Sequence, residues 1–332
     1  MRIRFFIIAF FLAGIASIQA ENWKEELKFS SFSSISLAQL KEGNIETSRT
    51  SVETPKTAIA VETLCYVAKS PEQVAKTLMS WSPTAHGDLG ILAHKSLSAP
   101  AKEDDFSSLK LDAEQDEQQW LLDQSESAGS TSNILNVGKK DFTKLAKAGD
   151  KPAALTSAWR SILYARASAY QSGGLEDLES YQTEDGVFVH KKEWKKLFGS
   201  LPKINSHFKD LIKKIQETDP AETPEGVLPS VYYLEKIKIN NQLALVLGAT
   251  KSVKTSNGWQ IADFQYYVCS NYYSSLVLYQ IVPSGNGSLI WRGDYVLSPE
   301  MASLKGVERL FSENILLKEV KKTLEYFKED LK

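Results

Sequence analysis

The stretch DFQYYVCSNYYSSLVLYQIV, residues 263–282, carries five of the chain's thirteen tyrosines and has no polar face. On an extended strand, side chains alternate, so Phe264, Tyr266 and Val268 point one way and Gln265, Tyr267 and Cys269 the other. Past a turn at Ser270-Asn271, Tyr273, Val277, Tyr279 and Ile281 share one face, and Tyr272, Leu276 and Leu278 take the opposite one. Both faces are therefore apolar or aromatic. Such a sheet has to be covered twice, or covered once and left to line a cavity on its other side. An ordinary two-sided core, with tyrosine hydroxyls reaching the rim, stands beside the cavity reading.

The neighbouring segments supply the rest of that sheet. VYYLEKIKI runs to Asn240-Asn241, LALVLGATKSVK runs to Asn257-Gly258, and SGNG (284–287) leads into SLIWRGDYVL. Asn-Gly between apolar runs is a hairpin signal, because both turn positions favour positive φ. The result is a meander of up to five antiparallel strands. Upstream, IETSRTSVE and TAIAVETLCYVAK flank Thr54-Pro55-Lys56 and read as a strand pair. Ser70, Pro71 and Gln73 then form a capping box with proline at the first helical position. Val74, Leu78 and Trp81 make one apolar stripe behind it. At the other end, Ser298-Pro299 opens a helical tail in which Val320, Leu324, Phe327 and Leu331 share a face. Leu304 and Phe311 are out of phase with that face, which predicts a break near Gly306 or Ser312.

Between these parts, LGILAHKSL and EQQWLLDQS read as short strands within 82–138, separated by the polar loops PAKEDDF and SESAGSTSN. A helical block follows over 139–217, where Leu155, Trp159, Ile162, Arg166 and Ala169 approximate one face and Gly173-Gly174 ends the run. TDPAETPEGVLP (218–229), with three prolines and one glycine, reads as a linker. The predicted fold class is α+β: an antiparallel β-meander packed on a long C-terminal helix, with an inserted helical block. Residues 21–332 form one domain, comprising a strand pair and helix (45–81), the inserted block (139–217), the linker (218–229) and a terminal meander and helix (230–331).

The chain opens MRIRFFIIAFFLAGIASIQA. Arg2 and Arg4 precede an apolar run from Phe5 to Ile15, and small or neutral residues lead to Ala20. That order is a secretory signal peptide with cleavage after Ala20. Ile18 is larger than the usual residue three before the cut, so an uncleaved anchor is the alternative. The run is shorter than the roughly 20 residues of a spanning helix. The expected protein is exported, periplasmic or extracellular, with no transmembrane segment after cleavage. A formal charge of −2 and the lack of Lys/Arg clusters argue against nucleic acid and anionic membranes as partners. The two cysteines, Cys65 and Cys269, permit one disulfide in an exported chain, or two buried thiols.

Chemistry-bearing motifs are sparse. His86, His94, His190 and His207 form no H-x-x-x-H or H-E-x-x-H pattern, so no metal site and no cofactor is expected. No G-x-S-x-G elbow appears. The triplet Arg292-Gly293-Asp294 sits inside a strand, where Arg292 and Asp294 share a face as a potential salt bridge rather than an exposed adhesion loop. Glu62 shares a face with Ala60, Leu64 and Tyr66, and a carboxylate in an apolar row lies either at a sheet margin or buried with a partner. Asp263 poses the same question beside Phe264. Trp259 and Trp291 read first as core.

YVAKSPEQVAKTLMSW and GSLIWRGDYVLSPEM, with the meander and the amphipathic tail, resemble the START-like helix-grip fold. That resemblance implies a curved sheet wrapped around the last helix, enclosing an apolar cavity. Separately, ADFQYYV…YYSSLVLYQIV…LIWRGDYV…GVERL resembles a set of exported bacterial proteins, and brings no catalytic residues with it. The leading expectation is noncatalytic binding of a small apolar or amphipathic ligand such as a lipid, lined by Tyr266, Tyr272, Tyr279 and Trp291. A protein-interaction or envelope-structural module is the second reading, and an enzyme using a pocket carboxylate such as Glu62 the third.

Overall fold

The computed structural model describes residues 23–32, 35–49, 54–128, 134–183, 186–219, 227–298, 300–304 and 307–332. The expected signal peptide and residues 220–226 of the expected linker lie outside the described residues. Ten strands are present among them: β1 (Ile45–Arg49), β2 (Ala58–Val67), β3 (Ile91–Leu97), β4 (Tyr181–Thr183), β5 (Gly186–Phe188), β6 (Val231–Ile239), β7 (Gln242–Thr255), β8 (Gly258–Val268), β9 (Ser274–Ser284) and β10 (Gly287–Leu297). All but β4 and β5 join one antiparallel sheet in the order β1-β2-β10-β9-β8-β7-β6-β3. The fold is α+β, and the expected meander is the run β6 to β10.

Its hairpins follow local chemistry, with one difference. Asn240 and Asn241 both take positive φ, 48° and 62°, as a tight turn matched to sheet twist requires. At Asn257-Gly258 only the glycine does, with φ of 138°, and Asn257 stays at negative φ. A Cβ on Gly258 would sit 1.9 Å from the Ile281 carbonyl oxygen, so close strand approach also demands glycine here.

The helices are α1 (Leu37–Lys41), α2 (Pro71–Ser80), α3 (Asp116–Glu126), α4 (Lys139–Ala148), α5 (Pro152–Gly173), α6 (His190–Ser200), α7 (Pro202–His207), α8 (Lys209–Gln216), α9 (Glu300–Ser303) and α10 (Val307–Asp330). The capping box at Ser70 and Gln73 forms as expected. The segment expected as a strand over EQQWLLDQS is α3: Leu121, Leu122 and Ser125 are its buried face, and a short apolar run of this kind fits either element. On α5 the buried face continues to Tyr170, with Ala169 only half-buried beside it. The break in the tail falls between α9 and α10, and Ser312 lies inside α10.

One face of the sheet is covered by the inserted block and the segment that begins at Trp23. Trp159 and Tyr170 of α5, Trp194 of α6 and Phe208 pack there against Leu245, Phe264, Leu278 and Trp291. The other face is covered by α2 and α10, whose Val74, Met79, Leu324 and Phe327 meet Cys65, Ile261, Ile281 and Ile290. Cys65 and Cys269 thus belong to opposite faces of the sheet, and both are free, buried thiols. The disulfide that their even count permitted does not form, because the sheet itself separates them.

The inserted block is fixed to the sheet by a buried charge pair. Arg166 on α5 donates to Asp141 on α4 at 2.5 Å and to the Glu179 carbonyl at 2.8 Å. Its guanidinium lies 4.4 Å from the centre of the Tyr267 ring, a cation–π contact with the sheet below. Removing one member of a buried pair leaves an uncompensated charge, which typically costs about 3–5 kcal/mol. Asp141→Ala is accordingly expected to lower the unfolding free energy by that amount in urea titrations. Replacing both Arg166 and Asp141 by apolar residues should recover most of it.

Candidate functional site

A cavity of about 840 Å³ lies between the sheet and the pair α2 and α10. Pockets that hold small molecules span roughly 300–1,000 Å³, so this one is ligand-sized. It exists because the two helices cover only part of their face. Leu78 and Met79 of α2, with Trp81 just beyond its end, close it on one side, and Leu316 and Val320 of α10 on the other. Towards β6 and β3, Tyr233, Glu235 and His94 form the cavity's far wall.

Helix α10 is held in this position from the segment that follows α2. Trp81 Nε1 and His86 Nε2 both approach Asp330 Oδ2, at 2.8 and 3.0 Å. Asp88 accepts from the Tyr326 hydroxyl at 2.7 Å and pairs with Lys322 at 2.8 Å.

The sheet side of the cavity mixes apolar side chains, among them Ile261, Val277 and Val296, with a cluster of polar ones. Arg292 and Asp294 of β10, 7 % and 4 % exposed, form a hydrogen-bonded pair with Nη2 to Oδ1 at 2.6 Å. The anticipated salt bridge within the Arg-Gly-Asp triplet is therefore present, and the triplet is interior. Asp263 of β8 accepts from the Tyr233 hydroxyl at 2.5 Å. His94 Nδ1 lies 2.8 Å from Glu235 Oε1, and its ring stacks on Tyr233 at 5.0 Å. Gln265 accepts from the hydroxyls of Tyr272 and Ser275, at 2.6 and 2.7 Å. Burial is the main force on Asp263 and Glu235 adds to it, pushing the Asp263 carboxyl up to about 6 against its Tyr233 hydrogen bond and the nearby Arg292 and His94. Burial likewise holds the Tyr233, Tyr272 and Tyr279 phenols above their ordinary range, so they remain donors.

Of the residues expected at a site, Tyr272 and Tyr279 line this cavity. Tyr266, Trp291 and Glu62 lie on the opposite face of the sheet. Tyr266 stacks on Tyr170 at 4.0 Å under the inserted block. Trp291 packs edge-on to Phe29 and donates from Nε1 to Glu62 Oε2 at 3.1 Å. Glu62 is 4 % exposed and also accepts from the Ser31 backbone N–H at 2.9 Å and from its hydroxyl at 3.2 Å. Burial raises its proton affinity, and those hydrogen bonds oppose the shift. Glu62 is thus the buried and partnered alternative, a carboxylate that ties the N-terminal segment to the sheet.

Tyr266 stays on the side of Phe264, as strand alternation predicts, and a β-bulge makes Tyr267, Val268 and Cys269 change side. Leu247 pairs with Tyr267 but Gly248 pairs with Gln265, so Tyr266 is an extra residue in β8. Both Tyr266 and Tyr267 then face the inserted block, while Gln265 and Val268 face away from it. Gly248 permits this: a Cβ there would meet the Tyr233 ring at 2.1 Å. Likewise, β9 begins only at Ser274, after Asn271 at φ 72°, so Tyr272 faces the cavity and Tyr273 the inserted block. That exchange reverses the alternation read from sequence.

Arg292, Asp294, Glu235, His94 and Tyr233 were not expected as cavity residues. The shared face of Arg292 and Asp294 was the available signal. His190 is buried among Tyr181 and Phe188, where burial pushes its imidazole down to about 3, and His207 bonds Gln280 at 2.8 Å. Among the described residues, no three His, Cys, Asp or Glu side chains are placed to hold a metal ion. No protein-family model matches this sequence, and no curated protein matches it.

Because the folded Asp263 carboxyl binds its proton more tightly than an unfolded one, it disfavours the folded state above about pH 6 and ceases to do so near pH 4. Asp263→Asn keeps an acceptor for Tyr233 and removes the charge. Urea denaturation should find this variant more stable than the parent at pH 7.5, with the difference vanishing as pH falls to 4.

Proposed function

We propose that this chain binds a small amphipathic molecule, without chemical conversion, in the cavity between its sheet and α2 and α10. One observation carries this reading: a ligand-sized cavity with apolar side chains of α2 and α10 on one side and, on the sheet, a polar cluster set among apolar residues. Leu78, Met79, Leu316 and Val320 would cover a hydrocarbon or ring portion. Tyr272, Arg292, Asp263 and Glu235 would orient a polar end. The resemblance of YVAKSPEQVAKTLMSW and GSLIWRGDYVLSPEM to the START-like fold supports the same use of the space. The leader-like first twenty residues support action outside the cytoplasm. No helix of the described residues is long and apolar enough to cross a membrane.

A second reading, a protein-interaction module, is favoured by a different feature. Val307, Leu310, Phe311 and Ile315 form an exposed apolar stripe on the first half of α10. The enzymatic reading is the weakest, since Glu62 is saturated with partners on the far side of the sheet.

Native purification followed by organic extraction and mass spectrometry separates the first two readings. A small molecule recovered in stoichiometric amount is the expected result, and Leu316→Trp, which fills the cavity from α10, should reduce its recovery several-fold without unfolding the chain. An empty parent protein that takes up no apolar fluorophore would rule out the binding reading.

A further inference from the structure

The balance of charge around the cavity goes further and bears on the polar end of the ligand. Four carboxylates face this space, Glu235, Asp263, Asp294 and Glu319, against a single guanidinium, Arg292, and the imidazole of His94. Arg292 is engaged by Asp294 through Nε and Nη2, so its charge is compensated within its own strand. Asp263 has only the Tyr233 hydroxyl on Oδ1, and its Oδ2 has no hydrogen-bond partner among the described residues. Glu235, 5 % exposed, uses Oε1 on His94 and leaves Oε2 in the same state. Two carboxylate oxygens on adjoining parts of one wall thus have no protein donor among the described residues and open onto the cavity, where an entering ligand group can donate to them.

The rings on that wall point to the same chemistry. Tyr233, Tyr272 and Tyr279 present aromatic surface around the acids, and such rings attract cations through their faces. Arg292 already lies 5.6 Å from the Tyr279 ring centre, while Tyr272 has no cation over it among the described residues.

We propose that the molecule held in this cavity is a cationic amphiphile, with its ammonium group on Asp263 and Glu235 and its apolar portion under α2 and α10. The inference rests on the binding reading above and adds the sign of the head group. Asp263 is the selecting residue, since Glu235 is shared with His94. The titratable and charged groups that line the cavity with Asp263 are Tyr233 and Glu235 from β6, His94 from β3, Tyr272, Tyr279 from β9, Arg292 and Asp294 from β10 and Glu319 from α10. With its carboxyl held up at about 6, Asp263 is anionic at pH 7.5 and loses that charge as pH falls to 5. Affinity for an ammonium should fall over the same interval.

Displacement of a neutral apolar fluorophore by decylamine, decanoate and decan-1-ol tests this on the full chain. At pH 7.5 decylamine should bind about ten-fold more tightly than the other two, an effect of the size expected for one desolvated charge contact. Asp263→Asn should abolish that preference by weakening decylamine far more than decan-1-ol, with urea unfolding confirming that the variant folds. If Asp263→Asn fails to fold, Glu235→Gln serves and should reduce the preference in part. The decylamine advantage should shrink between pH 7.5 and 5 in the parent only. Decanoate binding most tightly, or a decylamine preference untouched by both variants, would overturn the cationic head group while leaving the binding reading intact. Failure of the fluorophore and all three probes to bind would instead overturn the binding reading itself.

Discussion

An eight-stranded sheet that is largely apolar on both faces can exist in water only if each face is covered, and the two coverings here are unequal. The inserted block and the N-terminal segment spread aromatic side chains over one face, from Phe29 against Trp291 to Tyr170 against Tyr266. On the other face α2 and α10 do most of the covering, each along one stripe, with Met301 of α9 beside them. Helix α10 contributes Val320, Leu324 and Phe327, and α2 contributes Val74, Ala75 and Met79. The space those stripes do not reach is the cavity. Its position thus follows from how much helix the chain assigns to each side.

The floor of that space carries polar side chains in mid-sheet, where apolar ones would be easier to accommodate. Desolvation makes an isolated buried charge costly, and each of these groups has at least one partner that lessens the cost. Arg292 and Asp294 satisfy each other along a single strand, Asp263 leans on Tyr233, and Glu235 on His94. The opposite face treats its acid differently. Glu62 meets the Ser31 N–H, the Ser31 hydroxyl and Trp291. A carboxylate satisfied to that degree reads as structural, whereas Asp263 and Glu235 retain capacity for a further donor.

Much of this was legible locally. The capping box at Ser70, the turn at Asn240-Asn241, the β1–β2 pair and the stripe Val320, Leu324, Phe327 each rest on interactions within a few residues, and each forms as its sequence predicts. The short run around Trp120 was misread because two adjacent leucines fit a strand or a helix, and only the neighbours of Leu121 and Leu122 in the core decide. Of the residues expected at a site, Tyr272 and Tyr279 line the cavity, and Tyr266, Trp291 and Glu62 lie on the other face of the sheet.

What the sequence alone determined is the two-faced sheet, the helices on either side of it and the order in which they arrive, because hydrophobic period and turn chemistry act over short range. What only the tertiary structure decided is which tyrosine faces which layer. The extra residue in β8 answers the Tyr233 ring over Gly248, two residues fifteen apart in sequence whose meeting depends on strand pairing. The same holds for the cavity: an unfilled space between packed elements is a property of their spacing, and no segment encodes it alone.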